Sequence, residues 1–396
     1  MSHLRALTTF ALVCSCIATA DAQDKKKLPI GIVKEKPTEG QFVETKHGFM
    51  VPYTVAIPGR EKVKFTMVPI PGGKFVMGSP KGEEGRKDDE GPQLAVEVKP
   101  FWMAKTEVSW AEYWVFMETY NIFKQRESDQ DSRMVTEKNR ADAVTSPTPL
   151  YEPDTTYQLG QDPEHPAVTM SQYAARQYSK WMSLLTGQFY RLPTESEWEY
   201  AARAGTKTRY FFGDDASRLG EFAWYTDNSD DVYHHVGKKK PNPWGLHDIY
   251  GNVGELVFDQ YEVDAYKRLS GKGTLLATKT IMPTTKIFPQ VFRGGSWDSA
   301  ASQLRSAARN RTEEWWRDSD PNLPLSPWWF TEDPSMGVGF RMIRPLETPV
   351  RETREKFWEQ YSKSLKNAVA DRIQEGRGVW GFVDPSLAKE IKAAGQ

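Results

Sequence analysis

The chain is almost without cysteine. Its only two, Cys14 and Cys16, fall in an N-terminal segment laid out as a secretory signal. Arg5 supplies the positive start, Ala6 to Ile17 is mostly apolar, and Ala20-Asp21-Ala22 offers small residues where a signal peptidase cuts. The apolar stretch is shorter than the ~20 residues a membrane helix needs, and Gln23-Asp24-Lys25-Lys26-Lys27 closes it with polar residues. Residues 1–22 therefore read as a signal removed on export to the periplasm or the exterior. The alternatives are an uncleaved anchor and a lipidated Cys16 behind the weak lipobox Val13-Cys14-Ser15. Cleavage after Ala22 takes both thiols away. That excludes disulfides, thiolate metal sites and a cysteine nucleophile from the mature chain.

Charge of one sign is equally scarce. The 52 basic and 53 acidic residues nearly cancel, and no basic block suggests a nucleic-acid partner. No long apolar run follows the signal, so no membrane span is expected after its removal. Histidine is sparse, and the adjacent His234 and His235 lack the spacing of a zinc or iron site. Aromatic residues, by contrast, are plentiful, with 14 Trp, 16 Tyr and 19 Phe.

Residues 23–60 are rich in Lys, Pro and Glu and read as a linker leading into an entry strand. Met67 to Ser79 suggests two strands around a Gly-Gly turn, and Ala95 to Val98 alternates like another strand. Three helices carry start signals. Ser109 to Glu112 is a capping box opening a helix to about Tyr120, with Tyr113, Phe116, Met117 and Tyr120 on one face. Ser171 caps a helix to about Leu185, stopped by Gly187, with Ala174, Tyr178, Trp181 and Leu185 on one side. Thr194 to Glu197 is a second capping box after Pro193, for a helix ending before Gly205. From Gly205 to about Pro345 the chain reads as loop-rich α+β structure held by aromatic packing. Residues 347–396 form a helical tail, with Arg351 to about Glu375 as one amphipathic helix striped by Phe357, Tyr361, Leu365, Ala368 and Val369.

A set of phrases runs through residues 61–346. They include Val76-Met77-Gly78-Ser79, Lys105-Thr106-Glu107-Val108-Ser109, His165-Pro166-Ala167-Val168 and Arg191-Leu192-Pro193-Thr194-Glu195-Ser196-Glu197-Trp198. Gly251-Asn252-Val253-Gly254-Glu255, Arg293-Gly294-Gly295-Ser296-Trp297, Ser306-Ala307-Ala308-Arg309 and Gly339-Phe340-Arg341 follow. Taken alone they make capped helices, tight turns and paired charges, and most of them report fold before function. In this order they resemble the formylglycine-generating enzyme, or sulfatase-modifying factor, family. The resemblance implies an irregular α+β fold related to the C-type lectin fold: one main domain, here followed by the C-terminal helix.

It also implies where chemistry is expected. Active members hold copper(I) on two cysteines shortly after the Gly-Gly-Ser turn, and copper(I) favours such soft ligands. Those positions fall on Ser299 and Leu304 here, so no copper is expected, while Ser296 keeps the turn serine. Ser296, Arg293 and Arg309 are the candidate groove residues. The resemblance implies a structural calcium on Asn252, Gly254 and Glu255, whose hard oxygens suit that ion. A second calcium site in relatives would draw on Trp224 to Asp231; Trp224 replaces a usual asparagine there, with Asn228, Asp230 and Asp231 as substitutes. The segment between Arg311 and Gly337 adds two tryptophan pairs, Trp315-Trp316 and Trp328-Trp329. They either form a stacking platform for a sugar or peptide or cover the core. The expected function is a non-redox binding, scaffold or accessory module with an unknown protein, peptide or glycan ligand. The alternatives are a different chemistry on the same frame, as in periplasmic relatives that tailor a siderophore chromophore, and formylglycine generation itself.

Overall fold

The computed structural model describes residues 28–149, 156–317, 325–359 and 361–395. The expected signal, with Cys14 and Cys16, lies outside them. Both capping boxes form. Ser109 accepts from Glu112 N and the Glu112 carboxylate accepts from Ser109 N, opening helix α1 (Trp110–Ser128). The helix outruns its expected end at Tyr120 because Ile122 and Phe123 continue the buried face. Helix α2 (Gln172–Thr186) starts on Ser171 and stops on Gly187, whose φ of 70° suits glycine. Helix α3 (Glu195–Arg203) starts on Thr194, which with Glu197 completes the second box.

Four antiparallel strands make the first sheet: Tyr53–Ile57, Arg60–Ile70, Phe101–Ala104 and Ile343–Pro345. A second four-stranded sheet runs in the order Asn310–Arg311, Gln290–Arg293, Gly254–Gln260, Val338–Gly339, and its last pairing is parallel. Gly73–Met77 and Leu94–Val98 belong to a third sheet. The two strands expected around the Gly-Gly turn therefore do not pair with each other: Arg60–Ile70 and Gly73–Met77 lie in different sheets. The architecture is α+β with a single main domain, its buried aromatic and aliphatic side chains gathered into two packed groups on either side of these sheets.

Two expectations are corrected. The segment read as a linker is structured from residue 28 on. It supplies Ile32–Val33, Val43–Thr45 and Gly48–Met50, which form a small sheet, and Tyr53–Ile57, which joins the first four-stranded sheet. The first three strands are short and pair with one another, and Ile32 and Met50 among them are buried in the main core. The tail is likewise not one helix. It breaks into Arg351–Glu359 and Lys363–Gln374, the second capped by Ser362. Then come a strand, Gly378–Phe382, paired with Ala143–Pro147, and a last helix, Leu387–Ala394. The tail covers the face of α2 that amphipathicity assigns to solvent. Arg176 donates to Phe357 O (2.9 Å) and the buried Lys180 ammonium meets Glu359 (2.5 Å).

Candidate functional site

The Gly294-Gly295-Ser296 turn leaves the Gln290–Arg293 strand with φ of 95° and 70° at its glycines. A Cβ on Gly295 would lie 2.7 Å from Leu304 Cδ1, so only glycine allows that approach. Leu304 is fully buried. Ser299 Oγ accepts from Ser296 N (2.9 Å) and lies 3.1 Å from Ser296 Oγ. The two serines are half-buried neighbours, while Leu304 closes the floor beneath the turn. One family position is thus a hydroxyl engaged in its own turn and the other a core side chain. Neither offers the soft ligand copper(I) requires, so the residues present do not fit that metal.

Arg293 and Arg309 do not face a groove beside Ser296, contrary to expectation. Both are buried braces. Arg293 donates to Glu195 Oε1 (2.7 Å), Glu199 Oε2 (2.8 Å) and Ser306 O (2.6 Å). Arg309 grips Glu195 through Nε (2.7 Å) and Nη2 (3.0 Å). Burial alone would raise the Glu195 carboxyl, but the two guanidiniums hold it below the usual carboxylate range. Their work is to tie α3 to the strand that carries the Ser296 turn.

Of the residues expected to hold calcium, Asn252 and Glu255 have oxygens already engaged in hydrogen bonds. Glu255 is gripped by Arg341, through Nε to Oε2 (2.7 Å) and a second contact at Oε1, and also accepts from Trp198 Nε1 (2.7 Å). Asn252 sits at φ 54°. Its Oδ1 accepts from His234 N (2.9 Å), its Nδ2 donates to Glu107 Oε1 (3.1 Å), and its backbone oxygen accepts from Trp297 N (2.8 Å). Gly254 opens the Gly254–Gln260 strand. Asn252 is therefore the anchor of the Ser296-Trp297 turn rather than a free ligand.

Beside it lie two residues that the sequence did not single out. Glu107 and Asp248 are buried, and Glu107 Oε2 and Asp248 Oδ1 have no hydrogen-bond donor among the described residues. Burial, reinforced by the Asp248 charge, raises the Glu107 carboxyl well above its ordinary value, and burial lifts Asp248 to about 6. The available signal was the acid inside the Lys105-Thr106-Glu107 phrase and the acid four residues before Asn252. Only folding shows that they meet.

The stretch from Trp224 to Asp231 also departs from expectation. The Trp224 ring stacks on His234 with centroids 3.8 Å apart, and the Lys239 ammonium lies 3.7 Å from the Trp224 ring centre. Asn228 spends its side chain on the turn, accepting from Tyr225 N (2.9 Å) and donating to Ala223 O (3.0 Å). Asp230 and Asp231 are exposed, in left-handed conformations. An ammonium over an indole holds the place where the family pattern implied an ion. Among the described residues no three His, Cys, Asp or Glu side chains cluster together.

Of the two readings of the tryptophan pairs, cover for the core holds for three of the four residues. Trp316, Trp328 and Trp329 are 5%, 1% and 1% exposed, and only Trp315, at 50%, reaches solvent. Trp328 Nε1 donates to Thr145 Oγ1 (3.1 Å), and Trp329 meets Tyr113 edge-on at 5.7 Å. Trp328 packs against α2 and the tail and Trp329 against α1, while Trp316 packs on Phe292 and Phe330.

The sulfatase-modifying factor enzyme 1-like domain model matches residues 55–320. The chain belongs to that family. It is 29% identical over 286 residues to the formylglycine-generating enzyme of Bos taurus, covering 64% of this chain and 72% of that one. It is 30% identical over 227 residues to the inactive C-alpha-formylglycine-generating enzyme 2 of Bos taurus, covering 50% and 71%. Among solved structures it is similar to PvdO from Pseudomonas aeruginosa, at TM-score 0.51 and 26% identity, covering 71% of this chain and 94% of that one.

Proposed function

We propose that this protein is a non-redox member of its family, an exported binding or accessory module that does not oxidise substrate cysteines. The observation that carries this reading is the pair Ser299 and Leu304 at the family's copper-binding positions. The hydroxyl is bonded within its own turn and the aliphatic chain is fully buried. A relative named as an inactive formylglycine-generating enzyme accords with the frame persisting without the activity. The test offers copper-loaded mature protein a Cys-X-Pro-X-Arg peptide and follows the peptide's mass. The expected result is an unchanged thiol; conversion to the aldehyde would overturn the reading.

Calcium is part of the same proposal, with corrected ligands. Glu107 Oε2 and Asp248 Oδ1, buried and without donors among the described residues, are hard oxygens of the kind this ion takes as ligands. Bound there, calcium would neutralise charge behind Asn252 and so steady the Ser296 turn. Adding calcium to chelator-treated protein is expected to raise its Tm, by linkage worth about 2.7 kcal/mol at a hundred times Kd. The double variant Glu107→Gln, Asp248→Asn is expected to lose most of the rise. A wild-type Tm indifferent to calcium would remove the assignment.

A further inference from the structure

The Asn310–Arg311 strand is the open edge of its sheet. Thr312 N donates to Gln290 O (2.9 Å), and in an antiparallel ladder bonded pairs alternate with unbonded ones. Phe292 and Asn310 are then the next bonded pair. Arg311, opposite Val291 between them, turns its N–H and C=O away from the sheet. Neither group has a backbone partner among the described residues.

A groove of about 420 Å³ runs along this edge, walled by the Lys87–Asp89 segment on one side and by Tyr261 and Val263 on another. Two polar atoms in its walls are buried without hydrogen-bond partners among the described residues, an acceptor at Asp89 Oδ1 and a donor at Asn310 Nδ2. Asp89 is only 6% exposed, and its other oxygen accepts from Tyr261 OH (2.7 Å). An acceptor, a donor and an outward backbone amide together match the repeating N–H and C=O of an extended polypeptide. Val263, 63% exposed, is the apolar contact for an alternate side chain. At the rim Asp88 is paired with Arg86 (3.4 Å), whereas Lys87 makes no ion pair among the described residues. The uncompensated charge is positive.

We propose that this groove is a β-addition site, where an extended peptide segment bearing an acidic side chain pairs with the outer edge of Asn310–Arg311. The proposal deepens the reading of the protein as a binding module and rests on it. Backbone pairing supplies affinity, and the acid, opposite Lys87, sets register.

The probe is an end-blocked Thr-Val-Asp-Val-Thr peptide, titrated into the full chain by fluorescence anisotropy. Methylating the backbone nitrogens that would face Arg311 is expected to weaken binding by about tenfold, the weight of one or two lost hydrogen bonds. Replacing the central Asp by Lys weakens it comparably, and Val263→Asp, at an exposed position that leaves the fold intact, abolishes it. Absence of binding overturns the proposal, as does equal binding of the methylated peptide. Competition by oligomers of N-acetylglucosamine, whose acetamido group carries the same amide chemistry, overturns it in favour of a glycan. None of these outcomes touches the copper assay, so this inference and the non-redox reading fail separately.

Discussion

Arg293→Ala is expected to lower the urea midpoint of the protein sharply. The guanidinium is fully buried and answers two carboxylates at once, Glu195 and Glu199, as well as Ser306 O. Glu199 is also held by Arg203 (2.9 Å) and Gly78 N (2.8 Å), and Glu195 by Arg309. Removing one cation therefore leaves two acids sharing too few donors in a medium that solvates charge poorly. Breaking such a cluster at one member costs about 3–5 kcal/mol, much of the roughly 5–15 kcal/mol by which a domain is stable. Urea denaturation followed by tryptophan fluorescence measures it. The control is Arg351→Ala, which removes a surface pair whose side chains are 54% and 36% exposed. Its effect is expected within about 0.5 kcal/mol. Equal midpoints for the two variants would contradict the account of α3 as braced to the Ser296 strand.

Trp328→Ala is expected to cost about 3–5 kcal/mol, the usual loss for deleting a large buried aromatic and leaving its cavity. Trp315→Ala, by comparison, should stay within about 0.5 kcal/mol. Trp328 is 1% exposed, bonded to Thr145 and packed against Tyr173 at 6.1 Å. Gly378 also crowds it: a Cβ there would approach its ring to 2.6 Å. Thermal melts of the two variants give the comparison directly. The same pair separates packing from recognition on a glycan array. Of the two, only Trp315 presents its ring to solvent, so sugar stacking on this pair must be lost with Trp315→Ala at unchanged Tm. Similar melts for both variants would mean that Trp328 is not the core residue described above.

What could be read from the sequence was what is encoded locally. A capping box needs four residues, and Ser109 with Glu112 and Thr194 with Glu197 start their helices where expected. The family frame was legible because its phrases stand in order. The Ser299 and Leu304 positions followed from counting along one turn. Contacts between distant segments were not legible. Arg293 and Arg309 looked like groove residues because of their place in the family phrases, and only the fold shows Glu195 between them. Asn252 and Glu255 looked like calcium ligands until Trp297, His234, Arg341 and Trp198 claimed their oxygens. Glu107 and Asp248 went unnoticed because nothing in either neighbourhood announces the other. The strand at Gly378–Phe382 was hidden among helical residues, since its partner is Ala143–Pro147.

That last pairing bears on the order in which the protein can be made. Ala143–Pro147 emerges from the ribosome long before Gly378–Phe382 is translated. Until then it stands as an open edge, the kind of template that recruits other chains. The closing segment is also latched. Arg126 on α1 donates to Phe382 O (3.0 Å) and grips Asp384 (3.2 Å) and Glu390 (2.8 Å). Folding of this layer is thus completed only once Gly378–Phe382 has been made, and a premature stop codon anywhere before residue 378 yields a product with an unsealed flank.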